Sequence, residues 1–443
     1  MRAYGELLAH RAARWPLLTS TLARLTPGMI VLALVYLLRD GGYSFTAVGV
    51  VTAAHQIGVG LGSPLQGRLV DRFGQRAVLV PDAALYLAGT VAIATLVPRG
   101  TSLPILVAVA VAAGAVFPPV TPCSRVLLSG LFPSGRLREA AFALSSIAVE
   151  LGFILGPLVA VAVRASMGAG AAVVGAGLLA AAGALGYAAT GAAADVPRRD
   201  RSVPRVGALR SGGVRVMVLA LGCIAVAFGI LDVVVPAVAE FAGRQAAAGP
   251  LIASIATGSL LGGLVYGSRV WPGSAVTRLR VLTAGFTVGL LAIPLSLGSL
   301  PTFAVGLFVG GLLLGPTMIC AFQLIDDLAL AGTQTEAQAW TQTAVTFGVA
   351  AGASLAGAAI DTRGPAAAFV VGALCLGLGA LVVNLRPAQL GSAVRGSDAA
   401  LAQAAVDTTR APMPSETTRP ATPSDAPALL SRPEQAPASP PGT

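Results

Sequence analysis

An all-α membrane protein, with twelve transmembrane helices in two pseudo-symmetric bundles of six, is the architecture this sequence predicts. Three observations carry that prediction. Hydrophobic residues make up 55% of the chain and charged residues 11%, against roughly 25% charged in an ordinary soluble domain. The apolar residues are gathered into twelve runs, most of them close to the ~20 residues that cross a ~30 Å hydrocarbon core at 1.5 Å per residue. Glycines and prolines in the later runs repeat those in the earlier ones at an offset of about 200 residues.

Taken in order, the runs fall at 17–38, 46–66, 77–97, 102–123, 140–163, 168–190, 215–236, 248–268, 278–297, 302–325, 338–360 and 365–385; we number them spans 1 to 12. Residues 1–16 are polar with three Arg and show no small-residue cleavage site, so they read as a cytoplasmic leader. An even number of spans puts both termini on one side. With that side cytoplasmic, the inner segments hold twenty Arg, whereas the outer loops hold five: Arg39, Arg99, Arg164, Arg244 and Arg363. This asymmetry sets the orientation.

The formal charge of +10 does not mark a nucleic-acid binder, because the Arg residues are spread through short loops instead of along one face. All 29 basic residues are Arg, a coding bias and not a function. Cys123, Cys223, Cys320 and Cys375 lie in or at the ends of apolar runs, with no CxxC and no His at metal spacing. Reduced, buried thiols are expected, with no metal and no cofactor.

The repeat sets the domain organisation. Gly58, Gly62 and Gly67 of span 2 correspond to Gly258, Gly262 and Gly267 of span 8. Gly114, Pro119 and Cys123 correspond to Gly311, Pro316 and Cys320, and Gly152 and Gly156 to Gly348 and Gly352. Two bundles are therefore expected at 17–190 and 215–388, with a central cavity between them near the bilayer midplane. Residues 191–214, which include DVPRRDRSVPR, read as a cytoplasmic linker. Residues 389–443, rich in Pro, Ala, Ser and Thr, read as a disordered cytoplasmic tail.

Between spans 2 and 3 the stretch Gly67 to Arg76, GRLVDRFGQR, reads as a ten-residue turn with four charges. It resembles the loop signature of the major facilitator superfamily of transporters at Gly67, Leu69, Asp71, Arg72, Gly74 and Arg76. The resemblance implies a conformational latch: Asp71 would lie at the inner N-terminus of span 11, near Thr335 and Glu336, and favour the outward-open state. A carboxylate at that helix end gains about 0.3–1 kcal/mol. The second half keeps Gly267 and Arg269 but has no acid matching Asp71.

Charges inside hydrocarbon are rare enough to be candidate sites. Glu150 lies near the middle of span 5 and is the candidate for proton coupling; its repeat counterpart, Thr346, cannot titrate. Arg24 in span 1 either snorkels to the inner interface or faces the cavity. His55, Asp232 and Thr346 are further cavity candidates, Asp82 a gate or packing residue, and Asp326 and Asp327 a solvated helix end. Gly152, Gly156 and Pro157, in GFILGP, form a helix-packing motif that bends the span. That segment resembles the span-5 motif of the superfamily's proton-coupled antiporters, without its further glycines. Pro118, Pro119 and Pro122 predict a distorted inner end of span 4, followed by Arg125.

The expected function is alternating-access secondary transport, with proton-coupled efflux of a small amphipathic or hydrophobic compound by a monomer in the plasma membrane. Its partners would be the small-molecule substrate, protons and the lipid bilayer. A sugar or other polar-solute permease is the alternative, disfavoured by the single Asn, Asn384, and 5% aromatics. From other classes come a non-transporting sensor or partner subunit and an intramembrane lipid enzyme. The enzyme would need a GxSxG elbow, which is absent, or a His dyad, for which only His10 and His55 exist.

Overall fold

With no water in lipid to pair with a backbone, an apolar run must satisfy its N–H and C=O groups internally, and a helix does so within one segment. The computed structural model describes residues 9–132, 136–190, 208–268, 271, 274–329 and 334–385. They fall in one compact unit, Met1–Arg395, and a second unit, Gly396–Thr443, lies outside them. The predicted tail and most of the predicted linker are thus outside the described residues.

The described residues contain twelve helices long and apolar enough to cross a membrane. Span 1 is Arg11–Ala23 and Leu25–Asp40, span 2 Phe45–Phe73, span 3 Gln75–Leu96 and span 4 Leu103–Ala115 with Val120–Leu131. Spans 5 and 6 are Arg136–Met167 and Ala169–Ala188; spans 7, 8 and 9 are Gly212–Phe241, Ala248–Gly267 and Ala275–Ala292. Spans 10, 11 and 12 are Leu300–Leu328, Gln334–Arg363 and Pro365–Leu385. Several begin at serine caps: Ser44, Ser211, Ser274 and Ser299 each accept a hydrogen bond from the amide three residues on.

Many helices outrun their apolar runs, because a helix has no reason to stop where the hydrocarbon does. The stretch Gly67 to Arg76 is the clearest correction. It is not a ten-residue turn: span 2 stays helical to Phe73, and the chain reverses at Gly74 alone, at φ +91°. Glycine enters that region at no steric cost. The prolines of span 4 act as predicted, interrupting the helix from Val116 to Pro119.

The internal repeat is visible as packing. Gly58 and Gly62 of span 2 lie against the backbone of span 4, where an added Cβ would collide with the carbonyl oxygens of Val111 and Ala115. Gly258 and Gly262 of span 8 meet those of Phe308 and Leu312 in span 10 in the same way. Gly152 and Gly156 of span 5 lie on the Arg24 and Leu25 carbonyls of span 1, and Gly348 and Gly352 of span 11 on those of Gly222 and Val226 in span 7. Each six-helix bundle therefore uses the same backbone contacts. The bundles meet along two helix pairs, span 2 with span 11 and span 5 with span 8.

This geometry sets opposite expectations for two equivalent-looking glycines. Gly258→Val forces span 8 off span 10 and should cost about 1–3 kcal/mol, read as a lower melting temperature in detergent. Gly267→Ala, where nothing lies within 4 Å of the new carbon, should leave that temperature unchanged.

Candidate functional site: the crevice between the bundles

Both interface pairs are tight at the end of the molecule away from the termini. There, Gly49 of span 2 packs on Ala353 of span 11, and Gly249 of span 8 on Pro157 and Val161 of span 5. Polar contacts join the bundles at the same end. Arg39 at the end of span 1 grips Glu240 of span 7, Nε donating to both carboxylate oxygens at 3.0 and 3.2 Å and Nη2 donating to Oε1 at 2.6 Å. Tyr36 donates to the Gln245 carbonyl at 2.7 Å, and Arg164, paired with Asp40 at 2.9 Å, donates to the Gln245 side chain. Asp361 of span 11 accepts from the amides of Phe45 and Thr46, at 3.1 and 2.6 Å.

Toward the termini the bundles part. The stripe of span 2 that covers span 11 runs from Phe45 through Gly49 to Gly60, which faces the Thr346 side chain. Its continuation through Ser63, Pro64 and Gly67 is exposed, and Gly67 has no atom within 4 Å of where a Cβ would stand. The contacts of span 2 with span 11 through Phe45, Gly49 and Gly60 thus lie toward the far end, and the space between the bundles on the side of the termini, the crevice, is the candidate site.

Two of the sequence candidates, Glu150 and Thr346, lie on helix faces turned to the other bundle, and the position of Asp232 on span 7 can be given. Glu150 sits near the middle of the helix Arg136–Met167, half-buried. It lies seven positions before Pro157 and eleven before Val161, and at 3.6 residues per turn the three share the face that meets span 8. Thr346 occupies the matching place on span 11, its hydroxyl donating to the Gln342 carbonyl at 2.9 Å and its methyl against Gly60. Asp232, half-buried, lies on the side of span 7 left over once Gly229 has met span 11 and Ile230 has met span 12.

Others are drawn into the first bundle instead. Arg24 neither snorkels nor faces the crevice: it is 5% exposed, Nη1 donating to the Ser145 carbonyl at 2.6 Å and Nη2 to the Ser124 hydroxyl at 2.9 Å. Span 1 breaks at this residue, and its guanidinium ties span 1 to spans 4 and 5. His55 is buried with Nε2 3.4 Å from the Tyr86 hydroxyl. Asp82 is buried in span 3, and among the described residues no hydrogen bond reaches its Oδ2.

Of the loop signature, Gly67 and Arg76 are exposed, Arg72 stacks over Phe73 at 5.0 Å, and Gly74 makes the reversal. The side chains of Asp71, Thr335 and Glu336 lie outside the described residues, as does that of Asp326. Gly152, Gly156 and Pro157 do bring span 5 onto span 1, as a packing motif should. Apolar spacing assigns Arg39 and Arg164 only an orienting role, and nothing in composition singles out Glu240, Gln245 or Asp361. These five build the far-end closure.

A profile of the Major Facilitator Superfamily matches residues 17–276. The chain belongs to the Major Facilitator Superfamily. Two solved structures share its fold. A mutant of the nucleoside transporter NupG is 12% identical, with 85% of this chain and 98% of that one covered and a TM-score of 0.68. The human organic anion transporter MFSD10 (TETRAN) is 18% identical, with 86% and 99% covered and a TM-score of 0.58. No curated protein sequence matches the chain. At such identities the likeness is one of fold, while superfamily membership makes this multi-pass membrane protein a transporter of small molecules and not an enzyme.

The geometry around Arg24 makes it a brace. Replacing it with Leu removes its hydrogen bonds to the Ser145 carbonyl and the Ser124 hydroxyl, and hydrogen bonds to a charged group are worth about 1.5–3 kcal/mol each. Arg24→Leu should lower the melting temperature in detergent while leaving the affinity of any transported solute within about twofold.

Proposed function

We propose that this transporter carries a small amphipathic or hydrophobic compound out of the cell in exchange for protons, by alternating access, with Glu150 as the coupling group. The observation that carries the reading is Glu150 itself: a carboxyl at mid-helix, on the face of span 5 turned to the other bundle, with no hydrogen bond or ion pair to a described residue. Enclosing an unpaired carboxylate in a low-dielectric site costs several kcal/mol. A protonated carboxyl avoids that cost. The crevice could therefore close over Glu150 only when it holds a proton or when substrate partners it, and that rule exchanges one for the other.

In this reading the bundles 17–190 and 215–388 rock about the crevice, joined by the cytoplasmic linker 191–214. The leader 1–16 and the tail 389–443 lie on the same, cytoplasmic side of the plasma membrane, and the chain works as a monomer without a cofactor. The twenty-to-five Arg asymmetry supports that orientation, and with it the structure corresponds to an inward-facing state. Thr346, opposite Gly60, and Asp232 would touch substrate in the crevice, whereas His55 and Arg24 would act only through the packing of the first bundle. The shortage of Asn and aromatic side chains supports an apolar cargo over a sugar.

Purified chain in proteoliposomes, given a pH gradient and a panel of dyes, antibiotics, nucleosides and organic anions, tests this. Glu150→Gln should abolish gradient-driven accumulation of the substrate, by about 100-fold or more, while exchange of labelled for unlabelled substrate without a gradient survives. Gradient-driven uptake at the native rate in Glu150→Gln would remove Glu150 from the mechanism.

A further inference from the structure

Spans 2 and 11 run antiparallel along one side of the crevice, and each ends in the same pattern. Span 2 closes on Asp71-Arg72-Phe73-Gly74 and span 11 on Asp361-Thr362-Arg363-Gly364. Both glycines make the reversal at positive φ, +91° and +81°. Asp361 stands near the C-terminal end of span 11, at the level where span 2 begins.

For Asp361 the consequence is visible. The first amides of a helix have no partner within it. Here those of Phe45 and Thr46 are taken by the two oxygens of Asp361, that of Ala47 by the Ser44 hydroxyl at 3.2 Å, and that of Val48 by the Ser44 carbonyl at 3.0 Å. The cap of span 2 is therefore shared between its own serine and a carboxylate from the other bundle. Gly357 lets this happen, since a side chain there would collide with the Phe45 carbonyl. The Arg39 guanidinium, held by Glu240, covers the Phe45 ring at 4.1 Å and fastens the same helix start to span 7.

We propose that Asp361 is the far-side latch of the transport cycle, made while the far end is closed and broken when it opens. This rests on the alternating-access reading above. With the far end closed, Asp361 caps span 2. When the bundles rock, that contact breaks, the Phe45 and Thr46 amides turn to water, and the Asp71 end of the same helix pair closes. Asp361 is exposed, so water can take over the two amides as soon as the carboxylate leaves. A latch needs that reversibility, and a buried brace such as Arg24 lacks it.

The test is the population of far-end-closed molecules, read without substrate or a pH gradient. In the full chain with its four cysteines replaced, spin labels at Ser102, between spans 3 and 4, and at Ala242, after span 7, report the far-end separation in lipid nanodiscs. The unmodified latch should give mainly the short distance. Charge-assisted hydrogen bonds of this kind make a shift of about tenfold or more toward the long distance the expected result for Asp361→Asn and Asp361→Ala. Asp361→Glu should restore much of the short-distance population, and Asp71→Asn should shift the ratio the opposite way. Because Asp361→Asn keeps the shape of the side chain, it serves if the alanine variant fails to fold. An unchanged ratio in the Asp361 variants while Asp71→Asn still shifts it overturns the latch and leaves alternating access standing. A single distance in every variant, Asp71→Asn included, overturns both. The Asp361 variants keep Glu150 and are read by distance, whereas Glu150→Gln keeps Asp361 and is read by gradient-driven transport, so the two proposals fail separately.

Discussion

The structure depends on how close helix backbones can come in a medium that offers no hydrophobic drive for helices to associate. Lipid tails are as apolar as leucine, so attraction between spans comes from dispersion and from backbone contact, and both need small residues at the crossing. The paired glycines supply those crossings: span 2 on span 4, span 8 on span 10, span 5 on span 1, span 11 on span 7. Each bundle is set by two such crossings, and the second bundle repeats the first. The seam between the bundles uses small residues as well, Gly49 on Ala353, Gly357 on Phe45 and Gly249 on Pro157, so what sets it apart is the polar contact at its far end.

The seam is where polar chemistry concentrates. Arg39 with Glu240, Arg164 with Gln245 and Asp361 with the start of span 2 all sit at the far end, outside the deepest hydrocarbon, where making and breaking a charged contact is least expensive. The contrast with Arg24 is physical. Its guanidinium is buried within the first bundle and makes two hydrogen bonds there, so it ties helices of one bundle together and does not cross the seam. Glu150 is of a third kind, a carboxyl at mid-helix that is neither sealed nor matched by a described partner.

Much of this was legible in the chain. The twelve spans, the six-plus-six repeat, the broken span 4 and the close approach at Gly152 and Gly156 all follow from apolar length, offset and residue size, which are local properties. The reversal between spans 2 and 3 is one residue, Gly74, and not the ten that its charges suggest, because charge marks where a helix leaves hydrocarbon and does not end it. Arg24 was open between two exposed fates, and its actual partners, a carbonyl and a hydroxyl more than 95 residues away along the chain, carry no charge that a sequence reading would look for. Asp361 left a trace in the Asp-x-x-Gly pattern it shares with Asp71. Its meaning needed the knowledge that spans 2 and 11 lie side by side.

By itself the sequence determined which segments are helices, how many cross the membrane and that the halves are related, because length, hydropathy and glycine spacing act within a segment or between neighbours in the repeat. Only the tertiary structure decided which charges face the crevice, which are sealed in a bundle and which end of the seam is closed. Those outcomes depend on the rotation of each helix about its axis and on contacts between spans 2 and 11 and between spans 5 and 8, roughly 100 to 300 residues apart in the chain, a distance over which hydrophobic periodicity carries no information.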